Sequence, residues 1–267
     1  MNRLILIGLA CCFSVPFRQV SAEPVAIMDF EFRYRSPVTS ILVNGVDLSL
    51  LVDLGGSNAV ALTKEELLLT KPNFIGETGK HQFLNGETYT SRKFTLDSVA
   101  FGSVLLTNVL GREYFRASFS PKDLPGHIGI GILGQFQVII NYPEKTISLF
   151  KPTVPSITSN ECNGGNISEL DILEGTIRSK VSFGGENNYL FAWDTGASHN
   201  IVSPTVFPES EIPDLIIGGE SYGPTPVRHI EIEGAPFDGL IGYDFFMENL
   251  VCFDFVRKLV AIRKFPT

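Results

Sequence analysis

The chain has 267 residues, 44% of them hydrophobic, a formal net charge of −8 and four cysteines. An acidic balance of this kind leaves no electrostatic footprint for nucleic acid. His81, His127, His199 and His229 are scattered without metal-ligand spacing to the cysteines, so neither a metal nor another cofactor is expected.

Met1 to Ala22 read as a secretory signal peptide. Arg3 is the positive start, Leu4 to Ala10 begin the apolar stretch, and Val20-Ser21-Ala22 is a small-residue cleavage site. Pro16 and Arg18 interrupt the apolar run, which is too short to span a bilayer. Cys11 and Cys12 leave a lipidated cysteine open as the alternative. Cleavage leaves 245 residues from Glu23 onward and, by removing Arg3 and Arg18, takes the charge from −8 to −10. That length is enough for two small lobes with cores of their own. The mature product is expected in the periplasm or outside the cell, with no stable membrane insertion. Cys162 and Cys252 remain, which allows one disulfide or two buried thiols.

Residues 23–150 form the first expected lobe. Ile27 to Arg35 read as a strand. Val38 to Val43 and Val46 to Val52 flank Asn44-Gly45, a strong hairpin signal, and the second arm delivers Asp53. Ala59 to Leu62 form a short strand. Thr63-Lys64-Glu65-Glu66 have the pattern of a capping box opening a brief helix over Leu67 to Leu69. A second Asn-Gly, Asn85-Gly86, lies within Gln82 to Phe94 and predicts another hairpin, with Tyr89 on its far arm. Phe94 to Val109 supply further strands with a turn at Phe101-Gly102-Ser103. The lobe closes with Gly126-His127-Ile128-Gly129, an apolar run, a turn at 141–145, and Thr146 to Phe150.

Residues 151–166, with Pro152, Pro155, Gly164 and Gly165, read as a linker. Residues 167–267 then repeat the plan. Thr176 to Phe183 and Tyr189 to Trp193 flank a Gly184-Gly185 hairpin signal, and the second arm ends at Asp194. His199 to Val202 match Ala59 to Leu62, and Ser203-Pro204 predict a helix start. At a constant offset of 113, Gly126 to Gly129 lie over Gly239 to Gly242, Val138 over Val251, Asn141 over Asp254 and Lys145 over Lys258. The chain is a duplication of one unit, too long for a solenoid repeat.

Each unit carries an apolar strand running into an Asp and a Gly turn: Leu50-Leu51-Val52-Asp53-Leu54-Gly55-Gly56-Ser57, and Leu190-Phe191-Ala192-Trp193-Asp194-Thr195-Gly196-Ala197-Ser198. A lone Asp-Gly is usually a turn, but here it recurs at matching places in two repeats. The pair resembles the pepsin/retropepsin aspartic proteases, and most closely their retropepsin-like branch of single-chain, two-repeat bacterial type. Asp194-Thr195-Gly196-Ala197 matches that motif, and Asp238 to Phe246 is typical of such sequences. The first copy departs from it, with Leu54 where the family has Thr or Ser.

The resemblance implies an all-β fold: two retropepsin-like β-barrel repeats related by a pseudo-two-fold axis, each giving one Asp. It implies an aspartic endopeptidase with Asp53 and Asp194 as its dyad, supported by Gly55, Thr195 and Gly196. It also implies a flap hairpin carrying Tyr89, a peptide or protein substrate, a monomeric chain and no cofactor. In the family the middle Thr of each motif braces the opposite loop. Only Thr195 can do so here, which leaves either a one-sided brace or a decayed site. The alternative function is therefore a catalytically weak or inactive binding or inhibitor protein on the same fold. Asp238, Asp244 and Asp254 read as turn or rim residues, and Trp193 as core. Tyr222 sits in a loop and is a weaker candidate for a second flap residue.

Overall fold

Turn chemistry sets the register of the sheets. Asn44 and Gly45 both adopt positive φ, 49° and 79°, as a two-residue hairpin turn requires. They join the strands Ser36–Val43 and Val46–Val52. In the second half Gly184 and Gly185, at φ 62° and 79°, join Thr176–Phe183 to Glu186–Trp193, with a bulge after Val181. The computed structural model describes residues 23–118, 120–152 and 162–266, and the side chains of 186–188 are left aside. Residues 1–22, expected to be a signal peptide, and residues 153–161 of the expected linker lie outside the described residues.

The fold is all-β with two lobes. Each lobe has its own eight-stranded sheet. In the first, Leu42 and Val43 pair with Ala100 and Val99 in addition to the sequential order, so the sheet closes back on itself. A third sheet of six strands is shared. Ala26–Asp29, Thr146–Phe150 and Gln137–Asn141 come from one lobe, and Asn249–Asp254, Leu259–Lys264 and Asn166–Glu169 from the other. At its centre Val138 pairs with Phe253, Ile139 with Cys252, and Ile140 with Val251. Ile139 and Cys252 are equivalent residues of the two repeats, so the pseudo-two-fold axis passes between them. One apolar cluster runs through both lobes, from Leu50, Val52 and Leu54 to Trp193, Phe246 and Phe253. Cys162 and Cys252 are joined in a disulfide, with Cα atoms 6.4 Å apart. Among the described residues no helix is long and apolar enough to cross a membrane.

Several local expectations change. Ile27 to Arg35 is two strands, Ala26–Asp29 and Glu31–Arg33. The chain passes there from the shared sheet to the lobe's own sheet, and Phe30 turns into the core. Thr63 does open a helix, Lys64–Thr70, through a reciprocal capping box with Glu66. Ser203-Pro204 opens only a turn, with Val206 and Phe207 N–H donating to Ser203 O. Pro208 follows at once and biases its predecessor away from helix. Each duplicated Gly is followed by a short helix, Ile130–Leu133 and Tyr243–Glu248, which the apolar pattern alone did not separate from strand.

Candidate active site

The strand Val46–Val52 ends in a loop held from behind. Val52 runs parallel to Ile128, and Asp53 N–H donates to Ile128 O at 2.9 Å. In the second lobe Trp193 pairs with Ile241, and Asp194 N–H donates to Ile241 O at 3.0 Å. A Cβ on Gly129 would come within 2.2 Å of Gly56 O, and one on Gly242 within 2.2 Å of His199 O. Only glycine lets these supporting segments pass so close to the loops.

Within each loop the carboxylate is oriented by backbone donors. Asp53 Oδ1 accepts from Gly55 N–H at 2.9 Å and Gly56 N–H at 3.1 Å. Asp194 Oδ1 accepts from Gly196 N–H at 2.8 Å and Ala197 N–H at 3.0 Å. The loops meet between the lobes. A Cβ on Gly55 would fall 2.5 Å from Asp194 Cγ, and one on Gly196 would fall 3.0 Å from Asp53 Oδ1. Each carboxyl thus lies over the other loop's glycine, close enough for each to act on the other's proton affinity.

Burial raises the proton affinity of both. Asp194 and the N–H groups of Gly55 and Gly56 offset part of this at Asp53. Asp194 is pushed well above the ordinary carboxylate range, by burial first, then by the charge and proximity of Asp53. Like charges in contact cannot both ionise cheaply, so the pair retains one proton where free carboxylates have lost theirs.

Thr195 is fully buried. Its Oγ1 donates to Val52 O at 2.6 Å and accepts from Leu54 N–H at 2.9 Å. The reciprocal side-chain bonds are missing, because Leu54 has no hydroxyl and sits wholly in the apolar core.

A cavity of about 460 Å³ opens over the pair. Its roof is the hairpin of Asn73–Gln82 and Thr88–Phe101. Tyr89 lines the cavity and stacks on Phe83, with ring centroids 4.6 Å apart. The hairpin tip is bonded across to the second lobe: Gln82 Nε2 donates to Glu233 O at 2.8 Å, and Glu233 N–H donates to Leu84 O at 3.0 Å.

Comparison with known proteins agrees with this geometry. No family model matches the sequence, and no curated protein matches it. Solved structures do. The aspartic proteinase from Irpex lacteus superposes with a TM-score of 0.64 at 13% identity, over 90% of this chain and 97% of its own. Basic 7S globulin from soybean gives a TM-score of 0.56 at 12% identity, over 91% and 95%. The fold is that of the pepsin-like aspartic proteinases.

On this pepsin-like frame several residues act where sequence reading gave no signal. Ser36 Oγ donates to Gly196 O at 2.7 Å and Tyr142 OH donates to Thr195 O at 3.0 Å. The first lobe therefore holds the Asp194 loop by side-chain bonds beyond that of Thr195. His127 is 6% exposed, with Nδ1 3.8 Å from Asp53 Oδ2 and Nε2 without a hydrogen-bond partner among the described residues. Burial first, then the charge of Arg112, lowers its pKa to about 4, with Glu66 acting in the other direction. It is neutral above that, and 3.8 Å is too long for a hydrogen bond.

The other expected residues fall outside the pair. Asp238 accepts from Leu190 N–H at 2.8 Å, and Asp244 from Asn200 N–H at 3.1 Å. Asp254 is buried against Arg257 at 2.7 Å. All three organise turns or ends of elements. Trp193 is fully buried against Phe245, Phe246 and Phe253. Tyr222 packs on Phe245 beneath Lys264 and does not line the cavity, so it is no flap residue.

Proposed function

We propose that the chain is an aspartic endopeptidase of the retropepsin-like branch, with Asp53 and Asp194 as its catalytic dyad. The observation that carries this is the placement of two half-buried carboxyls from opposite lobes, each over the other loop's glycine, at the floor of a roofed cavity. The ionised carboxyl takes a proton from a water held between the two as the water oxygen bonds to the scissile carbonyl carbon. The protonated carboxyl gives its proton to the carbonyl oxygen. As the tetrahedral intermediate collapses, the now ionised carboxyl takes back a hydroxyl proton, the C–N bond breaks, and the amine leaves with the proton taken from water. Gly55 and Gly196 allow the close approach, Thr195 braces it, and the Tyr89 hairpin serves as the flap. The chemistry needs no cofactor.

The same reading takes the protein as exported after loss of residues 1–22, periplasmic or secreted, and monomeric, with lobes 23–150 and 167–267 acting on a peptide or protein. The disulfide supports an oxidising compartment. Leu54 favours a second reading, a weak or inactive binding protein on this fold, and shared fold alone does not decide between them.

Digestion of an unstructured protein across pH, with and without a transition-state-mimicking aspartic protease inhibitor, tests the proposal. Inhibitor-sensitive cleavage is expected, and Asp53→Asn or Asp194→Asn should lower it by about 10³-fold or more. Cleavage that survives both substitutions would falsify the dyad assignment.

A further inference from the structure

The cavity is not electrically uniform. Asp53 and Asp194 lie on its floor, and Glu174 and Glu233 line it from the second lobe. On the first-lobe side stands Arg112, on the strand Val104–Glu113. It is partly buried, and among the described residues no carboxylate lies within ion-pair distance of it. The neighbouring cations are matched: Arg92 pairs with Glu113 at 2.9 Å and Lys93 with Glu77 at 2.8 Å. Arg112 instead has its Nη1 against both ring nitrogens of His81, on the roof hairpin.

A guanidinium turned into a cavity with only an imidazole beside it has spare donors in a fork that fits a carboxylate. Its burial disfavours the charge; the Tyr89 phenol acts the other way, and no carboxylate among the described residues does. His81 stays neutral above about pH 4, because burial and Arg112 hold its proton affinity down. It therefore adds no competing charge.

Position along the strand links Arg112 to the reacting centre. Tyr114 is two residues on, just past the end of the strand, and lines the same cavity. Its ring packs on His127 at 5.2 Å, and His127 Nδ1 is 3.8 Å from Asp53 Oδ2. Arg112 and the two aspartates thus line one cavity, which a peptide crossing the aspartates also occupies.

We propose that Arg112 is a specificity-determining residue that selects peptides bearing an Asp or Glu side chain on the first-lobe side of the cleaved bond. Glu174 and Glu233 repel an acid on the opposite side, so the preference is confined to one side of the bond. This rests on the peptide-binding reading of the cavity but not on turnover.

The test uses two pairs of uncleavable reduced-bond hexapeptides. In each pair the members differ only by Glu or Gln, immediately before the isostere in one pair and immediately after it in the other. Calorimetry on the mature protein should give at least about tenfold tighter binding of Glu over Gln in one pair only, on the scale of a desolvated charge-assisted bond. Arg112→Gln should bring the two within about twofold by weakening binding of the Glu peptide, with an unchanged thermal unfolding transition reporting that the variant is folded. Arg112→Lys should retain part of the preference. Equal binding of Glu and Gln in both pairs by the unaltered protein overturns the inference, whatever the variants do. Cleavage of proteins without an acid preference sinks the inference and leaves the endopeptidase standing. Acid-selective binding without cleavage does the reverse. No binding of any peptide removes both.

Discussion

The two aspartate loops share a backbone and differ in what surrounds it. Both carboxylates accept from two successive N–H groups, and both loops hang from a parallel strand followed by a close-packed glycine. The second loop is held by Thr195, Ser36 and Tyr142. The first has Leu54 in the core and, where the second lobe has Leu240 behind it, the imidazole of His127. What the carboxylates need locally is the same in both loops. The bracing moved to one side, and the acidic surroundings of the two aspartates diverged.

The largest break of this comparison is expected from Thr195→Val. It removes the side-chain brace from one aspartate loop to the other and leaves the buried Leu54 N–H without its acceptor, which costs about 1–3 kcal/mol. Misplacing the loops should lower kcat by roughly 10–100-fold. Thermal unfolding and steady-state kinetics measure the two effects. Leu54→Thr sharpens the comparison from the other side. Restoring the hydroxyl should raise kcat by about two- to fivefold with KM little changed, since it orders the catalytic groups and not the cleft. A variant no faster than its parent would mean that the apolar side chain is fully accommodated.

A smaller effect separates the loops by pH. The carboxyl pair has raised folded-state pKa values, so its contribution to stability is fully present below the unfolded value of about 4 and is lost as pH rises through the folded value. His127 is lowered from 6.5 to about 4. Its contribution is present above 6.5 and is lost as pH falls towards 4. Between pH 4 and 6.5 the two oppose each other. In His127→Leu the Tm should fall more steeply with rising pH than in the parent, by a few degrees over the window. In Asp194→Asn it should rise more steeply. Calorimetric melting curves of the three proteins check the signs, and equal slopes would contradict the assigned surroundings.

Much of the frame was legible because it depends on local chemistry. Asn44-Gly45 and Gly184-Gly185 announce turns that only such residues make easily, and the 113-residue offset predicted the equivalence that the central sheet displays at Ile139 and Cys252. The strand Asn73–Gln82 was not legible, since it is polar and largely exposed and owes its existence to pairing with the next strand. Arg112 on an alternating strand reads as a solvent-facing charge. Only the roof hairpin and the supporting segment carrying His127 turn its surroundings into a cavity. Ser36 and Tyr142 reach the Asp194 loop from far away in sequence, and their hydroxyls carried no pattern that could assign them.

The shared proton is the centre of the account, and the carboxyl carbons report it directly. In protein labelled with ¹³C at the Asp side chains, assigned through Asp53→Asn and Asp194→Asn, the pair should keep one proton well above the range near pH 4 where ordinary aspartates ionise. Carboxyl signals from Asp53 and Asp194 that both shift near pH 4, with the pair fully ionised by about pH 5.5, would contradict it.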